Sequence, residues 1–530
     1  MAIIASAASA QSGRDAAATL GRDLATPPVP VAARTVVVPV VADAAVADVG
    51  ATRDLFVGAV NVEGGRAIPR EAFAPVIENF IGKQAGASEL QAMARAIASA
   101  ARDRGYIFAS AVVPEQVVDA GAVTVRLDAG AVDRVRIVGS KNSRLRRTLD
   151  LIRGPAVRKE LLERQLLLAG DIPGITIIST RYVREPDGAT LIVDAREDRV
   201  SGSVGLDNYG STDVGPARAR LRLDLTGLLD DGDQLTAQLV VTPLQPKELA
   251  YGSVRYSIGI GSATRLGVAA AAGRTKPGDA FSAGRVTGES LYGAIFVNHA
   301  LLRSNRTSLW VNAELAFLRV DQNFDGLADQ RDEIATLTLS TTATSKFAGG
   351  RLWGGFGVVQ GLGPTKAGNP MASRPDGSGV FTKAVLWADW TRSLSKMLSV
   401  RAAANGQIAS RPLLAAQEIG VGGPGFGRGY DFSERFGDNG VLALIEVRET
   451  IEKPVGGVDW VQLYQFADGG YVENMAGGFG DGARWSAGAG LRAAFGKTSV
   501  GVEAAFPINA PRYESGSKAP QVNLTVARDF

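Results

Sequence analysis

The chain has 530 residues, too many for one compact core, so its length predicts two or more domains. It contains no cysteine and a single histidine, His299, which excludes disulfides, thiolate metal sites and a His-rich metal site. The net charge is only +3 and no basic block carries interleaved aromatic residues, which argues against nucleic-acid binding.

The N-terminal segment predicts a leader and a tether. Residues 1–10, MAIIASAASA, end in the small-residue pattern of a signal-peptidase site but lack a basic region and have a very short apolar region. The alternatives are a flexible Ala/Ser terminus and a truncated secretory signal, and we favour the signal because the rest of the chain indicates export. Residues 11–50 hold a short predicted helix, GRDAAATLGRDL, and a proline-rich linker in which the prolines stop any helix.

Apolar runs in this sequence are too short for a transmembrane helix, which needs roughly 18 to 20 residues. The longest candidate spans residues 35–49 and is interrupted by Pro39 and by aspartates. A membrane role would therefore require strands.

Two α+β units are predicted next, at residues 54–128 and 131–197. The first has a strand, LFVGAVNVEG, a helix that begins at Ser88 as N-cap, and two more strands. The second repeats the order with a strand, two helices and two strands. Neither unit contains a catalytic constellation, so both are predicted to be interaction modules.

Residues 198–530 change to a two-residue periodicity, which is plainest in ARARLRLDL (217–225), where apolar residues alternate with arginines. About sixteen such segments can be counted, with about 21 residues for each strand and its connection, which fits membrane strands of about 9 to 11 residues. A soluble sandwich or propeller would alternate too. Arginines opposite apolar stripes in strand after strand favour a polar interior and an apolar exterior, and strands in lipid must close into a barrel.

The chain ends with an alternating segment, QVNLTVARDF, whose last residue is Phe530. Termination on an aromatic residue resembles the recognition signal by which outer-membrane barrels are assembled. His299 lies in a predicted strand, YGAIFVNHALL, where a structural or lumen-facing role is expected.

One glycine-rich stretch interrupts the strand pattern, GFGRGYDFSERFGDNG at residues 425–440. With its surroundings it resembles the inward-folded loop of two-partner secretion transporters of the ShlB/FhaC/HecB type, within the BamA superfamily. That loop carries a Val-Arg-Gly-aromatic signature, which here reads Gly427-Arg428-Gly429-Tyr430, with glycine in place of valine. The loop is predicted to span residues 409–438.

The resemblance also implies a partner for the arginine. In the family an acid from an F-x-D-x-G strand on the inner barrel wall pairs with it, and this chain has Phe466, Asp468 and Gly470 in FADGG. A guanidinium offers a planar fork of donors that a carboxylate can accept in pairs, which lysine could not reproduce. We expect Gly427 and Gly429 to permit positive φ and close approach to the wall, and Tyr430 to pack flat.

Taken together, these resemblances imply two periplasmic POTRA domains followed by a transmembrane antiparallel β-barrel of about 16 strands, in the outer membrane of a Gram-negative bacterium. The expected function is export, with activation left open, of an unfolded exoprotein client such as a haemolysin or adhesin. Outer-membrane lipid and the barrel assembly machinery are the other expected partners. The N-terminal helix could plug the barrel.

Three other functions fit the sequence less well. A BamA or TamA type assembly factor would typically have more than two POTRA domains. A passive diffusion porin would need neither the periplasmic modules nor the arginine hairpin. An enzyme would need a catalytic set that a single histidine does not provide, and no nucleotide motif is visible, so no cofactor is expected.

Overall fold

The computed structural model describes residues 54–118, 120–185, 187–211, 214–278, 286–477 and 480–530. The predicted signal, helix and proline-rich linker of residues 1–50 lie outside the described residues. None of the helices in the described ranges is long and apolar enough to cross a membrane.

The first α+β unit is built around a small mixed sheet. Two of its strands, Ala59–Gly64 (β2) and Ala122–Asp128 (β5), pair in parallel, and a third strand pairs antiparallel at the other side of β5. The main helix buries Leu90, Met93 and Ile97 against the sheet, as its spacing of apolar residues predicts. The remaining elements are Leu55–Phe56 (β1), Ala74–Ile77 (α1), Gln84–Ala85 (β3), Ala87–Asp103 (α2) and Ser110–Val112 (β4).

The predicted N-cap of this main helix is wrong by two residues. The helix is capped at Gly86, whose backbone nitrogen donates to Glu89 Oε2 at 3.0 Å, and Ser88 lies inside the first turn. The Ser88 hydroxyl donates to the same carboxylate at 2.8 Å instead of accepting a helix N–H. Glu89 therefore takes the capping function that the serine was expected to have.

The second α+β unit has a three-stranded sheet of Arg134–Val138 (β6), Ile175–Glu185 (β7) and Gly188–Glu197 (β8), in the order β6-β8-β7. Its outer strand β7 is long, runs antiparallel to β8 and forms one edge of the sheet. Two helices cover one face and bury Leu145, Leu149, Leu162 and Leu166. The helices are Ser143–Asp150 (α3) and Lys159–Gly170 (α4).

The two α+β units contact each other directly. Phe108, from the first unit, is fully buried in the core of the second, and its ring stacks on Tyr182 at 3.9 Å between centroids. The Arg184 guanidinium donates to the Phe108 carbonyl oxygen, and the Tyr182 hydroxyl donates to the Ala131 carbonyl at 2.8 Å.

Residues from Val200 onward form a closed antiparallel barrel of sixteen strands among the described residues, which confirms the predicted fold class. Each strand pairs with its neighbours in chain order, and the last strand pairs with the first. The strands are Val200–Asp207 (β9), Arg218–Thr226 (β10), Gln234–Val241 (β11), Leu249–Ile260 (β12), Thr264–Thr275 (β13), Thr287–Arg303 (β14), Thr307–Phe324 (β15), Leu327–Phe347 (β16), Gly350–Pro364 (β17), Thr382–Ser393 (β18), Leu398–Ala409 (β19), Asn439–Glu452 (β22), Trp460–Glu473 (β23), Gly482–Phe495 (β24), Thr498–Pro507 (β25) and Gln521–Asp529 (β26).

The barrel wall is apolar outside and polar inside. Large apolar side chains such as Leu221, Leu266 and Ile295 are about half exposed on the outer face. Inward positions carry hydrogen-bonded ion pairs instead, for example Arg222 Nε to Asp224 Oδ2 at 2.7 Å. This arrangement follows from the two-residue period of a strand and from a lipid-facing exterior.

Of the two roles expected for His299, the structural one agrees with its position. It shares the outward parity of Leu291 and Ile295 in β14, so it does not face the lumen. Its Nδ1 lies 2.8 Å from the Thr264 hydroxyl of the neighbouring strand β13. The histidine thus has a structural contact within the wall.

The barrel closes over a short seam between its terminal strands. β26 and β9 form five residue pairs, from Thr525↔Asp207 to Asp529↔Ser203. Beyond them the Phe530 backbone nitrogen donates to the Gly202 carbonyl at 3.0 Å. The last residue of the chain is therefore bonded to the first barrel strand.

Candidate functional site

The chain leaves the wall between β19 and β22 and forms an inward hairpin, residues 410–438. The predicted loop began one residue earlier, at Ala409, which is the last residue of β19. The two legs of the hairpin pair antiparallel through Ile419–Val421 (β20) and Arg435–Gly437 (β21). Arg428 lies at the tip between these legs.

The Arg428 guanidinium binds three carboxylates of the inner wall. Its Nε donates to Asp468 Oδ2 at 2.8 Å, its Nη1 to Glu503 Oε2 at 2.7 Å, and its Nη2 to Glu446 Oε2 at 3.1 Å. The acids come from β23, β25 and β22, so one side chain ties the hairpin to three strands. The expected pair of Arg428 and Asp468 is in contact, and two further acids share the cation.

Burial and ring packing isolate this cluster from solvent. The Arg428 side chain is 6% exposed, and those of Asp468 and Glu446 are fully buried. Burial by itself lowers the pKa of the Arg428 guanidinium, but the carboxylates of Glu503 and Asp468 outweigh burial and the pKa is raised. The guanidinium carbon also lies 3.4 Å from the centre of the Phe466 ring.

Second contacts hold the acids in place. The Glu446 Oε1 atom accepts from Arg448 Nε at 2.6 Å and from Arg492 Nη1 at 3.3 Å. Three arginines thus face three carboxylates in the cluster. Because the charges balance, the loss of any one of them leaves an uncompensated buried charge.

Polar neutral groups complete the shell around the other two carboxylates. Glu503 accepts from the Tyr464 hydroxyl at 3.0 Å and from Asn523 Nδ2 at 3.2 Å. Asp468 Oδ1 accepts from the Ser486 hydroxyl and from the Arg428 backbone nitrogen, the latter at 3.3 Å.

The glycines that flank the arginine act differently from each other. Gly427 has φ of +87°, a conformation that L side chains rarely adopt. Gly429 has no positive φ, contrary to expectation, but a Cβ there would meet the Phe506 carbonyl carbon and Pro507 nitrogen at 2.9 Å. Gly429 therefore permits close approach to the wall, and Gly427 permits the turn.

The other residues predicted for the site, Tyr430, Gly470 and Phe530, lie in three different parts of the barrel. Tyr430 is fully buried, and its hydroxyl donates to Asn509 Oδ1 at 2.9 Å, in the connection between β25 and β26. Gly470 lies in the wall strand β23, where an added Cβ would lie 2.4 Å from the Val441 carbonyl oxygen, so the glycine permits close pairing of β23 with β22. Phe530 lies at the barrel seam.

Two of the three acids, Glu446 and Glu503, were missed at the level of sequence. Each is an acid at an inward position of a strand whose outward residues are apolar, as in VLALIEVRE and SVGVEAAF. Strand parity could have identified both as lumen-facing, but only the register of the barrel places them beside Arg428.

Two parts of the chain match known protein families. Residues 189–493, more than half of the chain, match the sequence profile of the family described as haemolysin secretion/activation protein ShlB/FhaC/HecB. Residues 55–130 match the POTRA domain, ShlB-type.

Individual relatives agree with the family match. The chain is 24% identical over 398 residues to the heme/hemopexin transporter protein HuxB of Haemophilus influenzae (strain 86-028NP), covering 71% of this chain and 69% of that protein. Two solved structures cover 99% of this chain and 98% of their own: CdiB from Escherichia coli, with a TM-score of 0.74 and 18% identity, and CdiB from Acinetobacter baumannii, with 0.68 and 16%. At these identities the two structures support the fold alone.

Proposed function

Because this chain belongs to the ShlB/FhaC/HecB family and is a two-partner secretion transporter of the outer membrane with periplasmic POTRA domains, we propose that Arg428 controls passage of its exoprotein partner. The observation that carries this proposal is the contact of Arg428 with Asp468, Glu446 and Glu503 inside a closed barrel. The comparisons favour neither a barrel assembly factor nor a passive porin.

The client is proposed to bind first to the POTRA domains as an unfolded chain. Strand β7 has eleven residues, pairs with β8 on one side only and forms a sheet edge. An extended client can add a strand to such an edge, and its main-chain hydrogen bonds tolerate varied side chains. This mode suits a long exoprotein, such as a haemolysin or an adhesin, whose segments pass one after another.

The arginine hairpin then has a conformational role and no catalytic one. While Arg428 is bound to the wall, the hairpin from residue 410 to 438 occupies the lumen through which the client must pass. Release of Arg428 from its carboxylates allows the hairpin to move, and rebinding restores the resting state. A planar guanidinium suits this reversible clasp because each of its nitrogens has its own acceptor.

Membrane contacts and assembly complete the proposal. The exposed apolar residues of the outer wall, such as Leu221 and Ile295, contact the lipid of a Gram-negative outer membrane. Phe530, bonded through its backbone to Gly202 of the first barrel strand, is the signal for the barrel assembly machinery. The free energy of export comes from folding of the client outside the cell.

A reconstituted system tests the export function. Purified full-length protein is inserted into liposomes, and an unfolded N-terminal fragment of its exoprotein partner is added without any nucleotide. Client protected from external protease, and only in liposomes that hold the transporter, is the expected result. No protection, or protection that requires ATP, would contradict the proposal.

A further inference from the structure

A second buried arginine lies at the opposite end of the same hairpin. Arg374 belongs to the connection between β17 and β18, residues 365–381, which we call the cap. Its side chain is 6% exposed, as buried as that of Arg428. Arg374 lies outside the motifs that the sequence shares with two-partner secretion transporters.

Every nitrogen of the Arg374 guanidinium has an acceptor. Nε donates to Asp376 Oδ1 at 2.7 Å within the cap, and Nη2 donates to the other oxygen of Asp376 at 3.2 Å and to the Met475 carbonyl. Nη1 is shared by Glu418 Oε1 at 3.1 Å, Asp438 Oδ2 at 2.9 Å and Asn474 Oδ1 at 2.8 Å. We call this set of contacts the Arg374 node.

Two of these carboxylates belong to the two legs of the hairpin. Glu418 directly precedes β20 and Asp438 directly follows β21, so the node lies one residue beyond the ladder that joins the legs. The side chains of Glu418 and Asp438 are 2% and 0% exposed. One guanidinium nitrogen therefore holds both legs at the base of the hairpin.

Repulsion between the Glu418 and Asp438 carboxylates explains why the Arg374 cation matters for the spacing of the hairpin legs. Both carboxylates bind the same nitrogen, so their oxygens lie no more than about 6 Å apart, a separation at which like charges repel. Asp438 also accepts from the backbone nitrogens of Leu413 and Met475, which fixes its position. Lys383 of the wall strand β18 is a second cation close to the first leg, and its amine donates to the Gln417 carbonyl oxygen at 2.8 Å.

The cap is also packed on the hairpin. Ala372 and Phe381 of the cap share a buried apolar cluster with Leu413 and Leu414 of the first leg. The backbone nitrogen of Ala415 donates to the Ser373 hydroxyl at 3.1 Å. The cap thus has its own attachment to the first leg, while Arg374 alone among these contacts reaches the second leg as well.

We propose that Arg374 is a positioning residue for export: by binding Glu418 and Asp438 together, it sets the spacing of the hairpin legs and so places Arg428 among its wall carboxylates. Arg374 acts through the hairpin and touches neither the wall acids of Arg428 nor the lumen path beside them. This inference rests on the proposed role of Arg428.

The test measures the position of the hairpin tip independently of export. Because the chain has no cysteine, nitroxide labels can be attached to the full-length protein through Ser433→Cys on the hairpin and Ser515→Cys in the β25–β26 connection. Pulsed electron paramagnetic resonance then gives the distance distribution between them. Arg374→Ala is expected to broaden a narrow distribution and to lower secretion of the client, since removing one partner of a buried ion pair is strongly destabilising.

Arg331→Ala is the control. The Arg331 backbone nitrogen donates to the Met371 carbonyl of the cap, but its side chain bonds Asp321 of the wall at 2.5 Å. This variant should leave both the distance distribution and secretion unchanged. A narrow, unshifted distribution in Arg374→Ala, even with reduced secretion, would show that Arg374 only anchors the cap and would overturn the proposal.

A triple variant covers the case in which Arg374→Ala does not accumulate in the membrane. Arg374→Gln combined with Glu418→Gln and Asp438→Asn removes the cation and both repelling charges while keeping hydrogen-bonding groups. It is expected to restore the narrow distribution. A broad distribution in this variant would contradict the charge argument.

The two proposals can fail separately. If the distance distributions change as expected but Arg428→Ala secretes normally, the proposed role of Arg428 is wrong and the structural role of the Arg374 node stands.

Discussion

Arg428 and Asp468 are joined by two hydrogen bonds, one from the guanidinium Nε to Oδ2 at 2.8 Å and one from the backbone nitrogen to Oδ1 at 3.3 Å. The carboxylate thus fixes both the side chain and the main chain of the hairpin tip. A contact of this kind orients the arginine fork toward Glu446 and Glu503, which accept from its other two nitrogens.

Replacement of Arg428 by lysine should be nearly as harmful to secretion as its removal. An ammonium group is a compact charge and cannot reach acceptors on three strands in the planar arrangement of a guanidinium. Secretion of the client, normalised to the amount of folded barrel, is the measurement. Arg319→Lys is the matched control, since Arg319 pairs with Asp321 two residues along its own strand. Secretion by Arg428→Lys close to that of the unchanged protein would refute the requirement for a fork.

Arg428→Ala and Asp468→Asn should not have additive effects. Each change removes the same direct contact. The double variant should therefore lose less stability than the sum of the two single losses, with a coupling energy of about 1–3 kcal/mol. Thermal unfolding of the purified barrel and its variants gives the four stabilities needed. Additive losses would mean that the 2.8 Å contact does not couple the two residues.

Gly429→Ala should weaken docking of the hairpin without affecting insertion of the barrel. The added Cβ would approach backbone atoms of Phe506 and Pro507 at 2.9 Å, and backbone cannot move aside as a flexible side chain can. Gly456→Ala is the control because a Cβ there meets nothing within 4 Å. Reduced secretion is expected for the first variant only. Equal secretion by both would show that close approach at Gly429 is not needed.

Docking of the hairpin tip should depend on pH through Asp431. Burial, together with the nearby Glu514 and Glu434 carboxylates, raises the pKa of Asp431 to about 6. The hydrogen bond from the Glu514 backbone nitrogen and the charge of Arg512 act in the opposite direction. An unfolded aspartate ionises near pH 3.9, so the folded state binds the proton more tightly and stability falls as the pH rises from about 4 to about 6.

The measurement for Asp431 is the thermal stability of the purified protein between pH 4 and 8. Asp431→Asn should match the unchanged protein at the acid end and be more stable than it above pH 6, because the amide has no charge to bury. Parallel pH curves for the two proteins would exclude Asp431 as the source of the dependence.

The alternation in residues 198–530, together with the arginines opposite its apolar stripes, predicted the barrel, because a lipid-facing wall imposes a two-residue period that each strand carries locally. The pair of Arg428 and Asp468 followed from a resemblance in the motifs around them. Glu446 and Glu503 did not, because their proximity to Arg428 depends on the stagger between strands, and no local pattern records that stagger.

Helix ends and long connections were also harder to predict. Ser88 has the residue type of an N-cap, but the carboxylate of Glu89 already bonds the Gly86 nitrogen and extends the helix past the serine. Arg374 lies in a connection without periodicity, and its partners Glu418 and Asp438 are far from it in sequence. The contacts of Arg374 are products of the folded barrel.

The most direct test of the contact between Arg428 and its three wall carboxylates is to measure secretion by Arg428→Ala at matched levels of inserted barrel. Heat-dependent mobility in gels confirms that the barrel is folded, and an immunoblot of the medium measures the exported client. We predict a normal amount of folded barrel and loss of the client from the medium, while Arg319→Ala, which alters a wall pair outside the clasp, exports normally. Export by Arg428→Ala at the level of the unchanged protein would contradict the proposed role of the arginine.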